Sequence, residues 1–285
     1  MTDVTIVHLS DLHFGGLADL PQVEALERFV PTLETDAIVV SGDLAQRARH
    51  GEFQRARVFV RQMQAHAPTL VIPGNHDLEW WLSPLGLRGS AVKYRKYCQY
   101  FGDVRPVLQV PGAVIAGALS SYGVAFGSLT WNLNDIAVKG HLPRSETDRV
   151  KALFAAAPRD VARVLVIHHN VLPGEVSRRH GLARWRSAHR RLLDTGVDLV
   201  LCGHDHYEGA GQVEGRITVS TSGTHSFRSR GGRASVFNVV RIESNAIHVQ
   251  HYRWDAEAGG FAPSDRFSFA RHVTPEPVVS AVEGV

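Results

Sequence analysis

The 285-residue sequence predicts an α/β fold in which two mixed sheets pack together with helices on the outside. Three observations carry that expectation. Apolar runs and helix-period segments alternate through the first half, which implies parallel strands joined by outer helices. The apolar runs of the last third follow one another without helical patterns between them, so they are expected to pair as hairpins in a second, mixed sheet. Five polar clusters rich in histidine and carboxylate each stand just after an apolar run, at the strand ends where open α/β sheets bind ligands.

The elements follow in order. The Val/Ile/Leu-dominated run at 4–9 reads as a buried strand, followed by a helix over about 21–33; a strand at 37–41, a helix at about 50–66 and a strand at 69–73 complete the alternating half. Segment 78–110 departs from the pattern. It concentrates Trp80, Trp81, Tyr94, Tyr97, Tyr100 and Phe101 and reads as a cap or insertion with a helix near 90–101. Tyr94, Tyr97 and Phe101 fall at helical spacing, which favours packing onto the core over stacking against a substrate. A strand at 113–119, a helix at about 145–156, a strand at 163–168, a helix at about 184–195 and a strand at 198–202 come next. Strands at 217–222, 234–242 and 246–253 close the fold. One domain over 1–272 is expected, with the Pro-containing stretch 273–285 as a loose tail.

Composition narrows the function. With 44% apolar and 21% charged residues the chain has the balance of a globular domain. The two cysteines, Cys98 and Cys202, lack disulfide or zinc spacing and are expected in the core. No apolar stretch approaches a membrane span, and Met1-Thr2-Asp3 runs straight into a strand without signal-peptide features, so a cytoplasmic location is expected. A net charge of +3 is a small excess and gives no strong nucleic-acid signal; oligomeric state stays open.

The five clusters are Asp11-Leu12-His13, Gly42-Asp43, Gly74-Asn75-His76-Asp77, His168-His169 and Gly203-His204-Asp205-His206. If strand geometry persists, Asp11 with His13, and His204 with His206, point to the same side and form pincers on a cation. Asp43 and Asn75 add oxygens and His168 adds an imidazole. A mixed oxygen and nitrogen set without thiolate suits Mn, Fe, Zn or Co. Seven donors exceed one ion, and two ions sharing a carboxylate fit better; such pairs, about 3.5–4 Å apart, clamp both oxygens of a phosphoryl displacement. Each cluster alone has a plainer reading, as a capping pair or an Asx turn, and only their ordered joint occurrence outweighs it. His169 and Asp205 would point away from their ligand neighbours and read as supporting or surface residues. Asp77 reads as an exposed loop carboxylate.

This ordered series resembles the calcineurin-like metallophosphoesterase superfamily over residues 4 to about 206. The contexts Leu9-Ser10-Asp11-Leu12-His13 and Ser41-Gly42-Asp43-Leu44 are most similar to its bacterial branch that includes cyclic-nucleotide phosphodiesterases. The resemblance implies a four-layer α/β/β/α sandwich and two divalent ions (Mn, Fe or Zn). It implies that Asp11, His13, Asp43 and His206 hold one ion and Asp43, Asn75, His168 and His204 the other, His168 rather than His169 aligning with the strand-terminal histidine. The implied chemistry is attack on a phosphate ester by a hydroxide bridging the ions, with His76 as general acid at the leaving oxygen. The expected substrate is a small phosphodiester; a phosphomonoesterase, a repair-type nuclease and a non-catalytic scaffold are the alternatives. Trp80, Trp81, Arg178 and Arg179 are candidate substrate contacts, and His225 is placed near the rim. Asn170 stands where many relatives carry proline, and Gln46 where many carry an acidic residue.

Overall fold

The computed structural model describes residues 2–79, 90–122, 139–227 and 234–272; Trp80, Trp81 and the tail 273–285 lie outside the described residues. In chain order the elements are β1 (Val4–Leu9), α1 (Leu20–Phe29), β2 (Ala37–Val40), α2 (His50–His66), β3 (Thr69–Val71), α3 (Arg95–Phe101), β4 (Val107–Val110), β5 (Ala113–Gly117) and α4 (Arg144–Ala156). They continue with β6 (Ala162–His169), α5 (Trp185–Leu193), β7 (Leu199–Gly203), β8 (Gly209–Val213), β9 (Ile217–Thr221), β10 (Val236–Ile242), β11 (Ala246–Asp255) and β12 (Gly260–Ala270).

The strands form two six-stranded sheets, ordered β12-β11-β10-β1-β2-β3 and β4-β5-β6-β7-β9-β8. In each sheet a parallel core, β1-β2-β3 or β5-β6-β7-β9, continues into antiparallel strands at one or both edges. Period-two alternation then assigns every strand residue to a layer. Val4 and Ile6 of β1, Ala37 and Val39 of β2, Val164 and Val166 of β6 and Leu199 and Leu201 of β7 fill the space between the sheets. The residues alternating with them, Val7, Leu9, Ile38 and Val40, meet α1 and α2. On the far side Leu165, Ile167, Val200 and Cys202 meet α4 and α5. The result is the α/β/β/α sandwich, and no described helix is long and apolar enough to cross a membrane.

Local chemistry explains where elements stop. Asp19 caps α1 by accepting from Gln22 N, and the helix expected to 33 ends at Phe29. Pro31 lacks an N–H and crowds the preceding turn, so Val30–Thr32 closes as a 3-10 turn. In α2 the buried residues Phe53, Ala56, Phe59, Val60 and Met63 form one apolar stripe. The described part of segment 78–110 packs on that helix: Tyr97 is fully buried, its ring meets Phe53, and its hydroxyl donates to Val71 O at 3.1 Å. Tyr97 is thus a core residue, while Cys98 beside it is turned outward; only Cys202 fulfils the expectation of a buried thiol. Three strands, β4, β8 and β12, were not expected from the apolar pattern. All three lie at sheet edges.

Candidate metal centre

The parallel strands β1, β2, β3, β6 and β7 end at the same edge of the sandwich, and each delivers one of the five clusters there. The delivery is not by pleat alternation. Strand β1 stops at Leu9, β7 stops at Gly203, and Asp11, His13, Asp43, His204 and His206 all take left-handed backbone with φ of +54°, +48°, +53°, +73° and +58°. Non-glycine residues pay about 1–2 kcal/mol each for that conformation. Neighbouring chain holds them in it: Asp11 N donates to Gly42 O at 3.0 Å, and His13 N to Asp43 O at 2.9 Å. The pincers anticipated from strand geometry are therefore left-handed turns: backbone hydrogen bonds lace the Asp11–His13 turn to Gly42 and Asp43, and the Asp11 carboxylate accepts His204 N.

Each buried carboxylate has one oxygen committed and one left over. Asp11 Oδ2 accepts from Ser10 Oγ at 2.5 Å and from His204 N at 2.9 Å; Asp43 Oδ1 accepts from His76 N at 2.8 Å. Asp11 Oδ1 and Asp43 Oδ2 remain buried without a well-formed hydrogen bond. Imidazole nitrogens surround them. His206 Nε2 lies 3.1 Å and His13 Nε2 3.7 Å from Asp11 Oδ1, the two nitrogens are 3.0 Å apart, and His13 Nε2 is 3.8 Å from Asp43 Oδ2. On the other flank His168 Nε2 is 3.3 Å from the same Asp43 Oδ2, and Asn75 Oδ1 is 3.0 Å from both His168 Nε2 and His204 Nδ1. Donors bound to one cation at about 2.0–2.2 Å stand about 3 Å apart on adjacent vertices, so both groups have the spacing of a coordination shell. The first group, Asp11, His13, Asp43 and His206, has donor atoms all within 4.8 Å of one another. Orphaned carboxylate oxygens facing convergent imidazoles, with no thiolate, fit a divalent cation.

Electrostatics say the same. Burial works against both carboxylate charges, yet the surrounding imidazoles hold Asp11 and Asp43 below the usual carboxylate range. Burial also opposes charge on His168, but Asp43 outweighs it and lifts the imidazole to about 9. His204 goes the other way, pushed down to about 3 by burial and by its charged neighbour His168. The proton that Asp43 favours on His168 sits where a cation would bind, and cation binding there must displace it.

Glycine makes the approach possible at two points. A Cβ on Gly74 would collide with the Asp43 carboxylate, and one on Gly203 with Ser10 and Asp11. The remaining loop chemistry falls to Asp77, which is fully buried rather than exposed. It accepts Leu44 N at 3.1 Å, Ala45 N at 2.7 Å and Gly74 N at 2.8 Å, tying the Asp43 loop to the loop carrying Asn75 and His76. Burial and the Asp43 charge push its carboxyl up to about 7. His76, half-buried at the edge, meets His13 with ring centroids 4.9 Å apart, and its Nδ1 donates to Gln46 O at 2.9 Å.

The family model of the calcineurin-like phosphoesterases matches residues 4–208, which contain all seven donors. The chain belongs to the calcineurin-like phosphoesterase family. Solved structures agree on this fold. A purple acid phosphatase from yellow lupin (Lupinus luteus) seeds superposes with a TM-score of 0.64 at 10% identity, over 95% of this chain; the chain spans 54% of that enzyme's length. A dimetal phosphatase from Danio rerio superposes with a TM-score of 0.63 at 12% identity, covering 94% of this chain and 99% of its own. PhoD gives 0.66 at 11% identity, over 96% of this chain and 71% of its own. A comparison with curated proteins finds no match.

Within the phosphoesterase, the other expected residues take varied places. His169 is buried, with Nδ1 2.9 Å from Ser120 Oγ and its ring 4.3 Å from that of His204, and Asp205 is buried as well; neither is a surface residue. Arg178 and Arg179 are exposed on the loop after β6. His225 corrects the rim expectation: its backbone N donates to Asp11 O, but its ring is fully buried against Phe237 and Phe261. Sequence reasoning passed over Ser10, the Gln46 carbonyl and the buried role of Asp77. Ser10 carries a signal, a hydroxyl directly before an aspartate at a strand end.

Proposed function

We propose that this phosphoesterase hydrolyses small phosphodiesters with two divalent cations. Asp11, His13, Asp43 and His206 would hold one ion, and Asp43, Asn75, His168 and His204 the other, with Asp43 shared. When bound, the cations supply Lewis acidity, lowering the pKa of water and offsetting charge on the phosphoryl oxygens. Ser10 and the His204 amide turn Asp11 so that one oxygen faces the cluster. Gln46 O accepts the His76 Nδ1–H and orients the ring, and in the imidazolium form Nε2 would carry the second proton, to be delivered to the leaving oxygen. A diester needs that proton, because its alkoxide leaves poorly alone. The single observation that carries the reading is Asp43 Oδ2, an otherwise unpaired buried oxygen within 3.8 Å of His13 and 3.3 Å of His168.

The test uses metal-stripped protein reloaded with Mn2+, Fe2+ or Zn2+. Bis(p-nitrophenyl) phosphate should turn over at least about tenfold faster than p-nitrophenyl phosphate, followed by a screen of cyclic nucleotides, glycerophosphodiesters and single-stranded DNA. On a diester with an alkoxide leaving group, His76→Ala should lower kcat by about 10²–10⁴ with metal content unchanged, and by less on bis(p-nitrophenyl) phosphate, whose phenolate leaves without a proton. Faster monoester turnover would point to a phosphomonoesterase, and no turnover of either ester with any cation would remove the enzymatic reading.

A further inference from the structure

Beneath the metal centre the apolar packing between the sheets gives way to a buried polar cluster. His8 of β1, Ser41 at the end of β2, Ser220 of β9 and Asn238 of β10 all face the inter-sheet space, and all four are fully buried. His8 Nδ1 lies 3.2 Å from Ser220 Oγ and Nε2 3.0 Å from Ser41 Oγ. Asn238 Nδ2 donates to Ser220 Oγ at 2.8 Å, and Ser41 Oγ donates to Leu9 O at 3.4 Å. One assignment gives every hydrogen an acceptor: Asn238 donates to Ser220, the Ser220 hydroxyl to His8 Nδ1, His8 Nε2–H to Ser41 Oγ, and Ser41 to Leu9 O. The imidazole of His8 is thereby committed to the Nε2–H form and pins Ser41 in place.

Ser41 in turn touches the metal centre. Its carbonyl accepts His168 Nδ1–H at 2.9 Å, which turns His168 Nε2 toward Asp43 and Asn75. The following residue, Gly42, has φ of +104°, and a Cβ there would lie 2.6 Å from His168 Nδ1. The Ser41-Gly42 turn and the His168 ring are in direct contact, so a shift of one displaces the other. We propose that His8 is a positioning residue for the metal centre, acting through Ser41 to aim the His168 imidazole. The proposal rests on the dinuclear reading above. Partners that fix a ligating histidine's free nitrogen tune metal affinity; here that partner is a backbone carbonyl, held by a histidine one strand away.

Two substitutions separate this role from simple sheet packing. An asparagine amide reaches only the Nδ1 position and keeps Ser220, whereas a glutamine amide reaches the Nε2 position and can still donate to Ser41. Titration calorimetry of the stripped full-length protein with Mn2+ is the readout, beside melting temperature. His8→Gln should bind both ions within about threefold of wild type. His8→Asn should weaken one ion by about 10–100-fold and leave the other unchanged. Two intact Mn2+ affinities in His8→Asn, or equal losses in both variants, would overturn the proposal. Should His8→Asn fail to fold, Ser41→Ala should show the same one-ion loss, and unchanged affinities there would overturn it equally. Wild-type protein that took up no Mn2+, Fe2+ or Zn2+ would overturn the dinuclear reading and this proposal with it.

Discussion

Truncating Asp77 to alanine removes a fully buried carboxylate that accepts three backbone N–H groups from two loops. Each orphaned buried donor costs about 1–3 kcal/mol, and relaxation or an entering water recovers part, so a loss of about 3–6 kcal/mol follows. That is a large share of the roughly 5–15 kcal/mol that holds a domain folded. The asparagine variant is graded by geometry. Its amide oxygen, placed where Oδ2 was, still accepts Leu44 N and Gly74 N, while its NH2 meets the Ala45 N–H that Oδ1 accepted at 2.7 Å. One clashing pair predicts about 1–3 kcal/mol for Asp77→Asn, lessened by relief from the Asp43 charge. Urea unfolding of stripped protein gives the stability, and Mn2+ calorimetry reports whether the Asp43 and Asn75 loops still meet. The reasoning fails if Asp77→Ala loses under about 1 kcal/mol, or if it loses the full amount and binds Mn2+ like wild type.

The other expectations concern close approach, buried titration and the core. Gly74→Ala drives a methyl group into the Asp43 carboxylate, and Mn2+ affinity should fall by about tenfold or more in calorimetry. Burial pushes His8 down to about 3 in the folded chain. The unfolded chain takes its proton near 6.5, so folded stability contributed by neutral His8 is complete above that pH. It is lost toward pH 3 at up to about 1.4 kcal/mol per unit; urea midpoints at pH 7.5 and 5.5 should separate more in wild type than in His8→Gln, and equal shifts would count against a buried neutral imidazole. Tyr97→Phe should cost about 1 kcal/mol through the lost bond to Val71 O, and Tyr97→Ala about 3–5 kcal/mol, both read from thermal unfolding.

The strands that carry the metal centre were legible because they are continuous β-branched runs buried on both faces, as parallel strands are. Strands β4, β8 and β12 were not. Gly209-Ala210-Gly211-Gln212-Val213 of β8 has almost no apolar side chain to show a period, and β12 carries Pro263, Ser264, Asp265 and Arg266 across its middle. Edge strands need only one neighbour and face solvent, so their sequences are free to be polar. The identity of the seven clustered donors could be read from order along the chain, but their backbone could not. Left-handed φ at Asp11 and His13 is held by Gly42 and Asp43, about thirty residues away, beyond what a local pattern encodes. Asp77 misled for the same reason: its immediate neighbours look like a polar loop, and its acceptor duty is owed to Leu44 and Ala45, more than thirty residues earlier. His8 was passed over as well, although an imidazole inside the Val4–Leu9 run is a sign that something polar must wait for it in the interior.

The seven clustered donors are divided by ancestry of strand. Asp11, His13, Asp43 and Asn75 come from the ends of β1, β2 and β3 in one sheet, while His168, His204 and His206 come from β6 and β7 in the other. Cations held there would act as a clasp over the seam, and neither half could grip them alone. Partly folded chains with one sheet formed would compete poorly for metal, so loading would select for completed assembly. Each ion bound as proposed would stabilise the folded chain by about 2.7 kcal/mol at a hundredfold excess over Kd. Sliding of one sheet against the other would then require breaking bonds to the cations as well as disturbing the apolar seam.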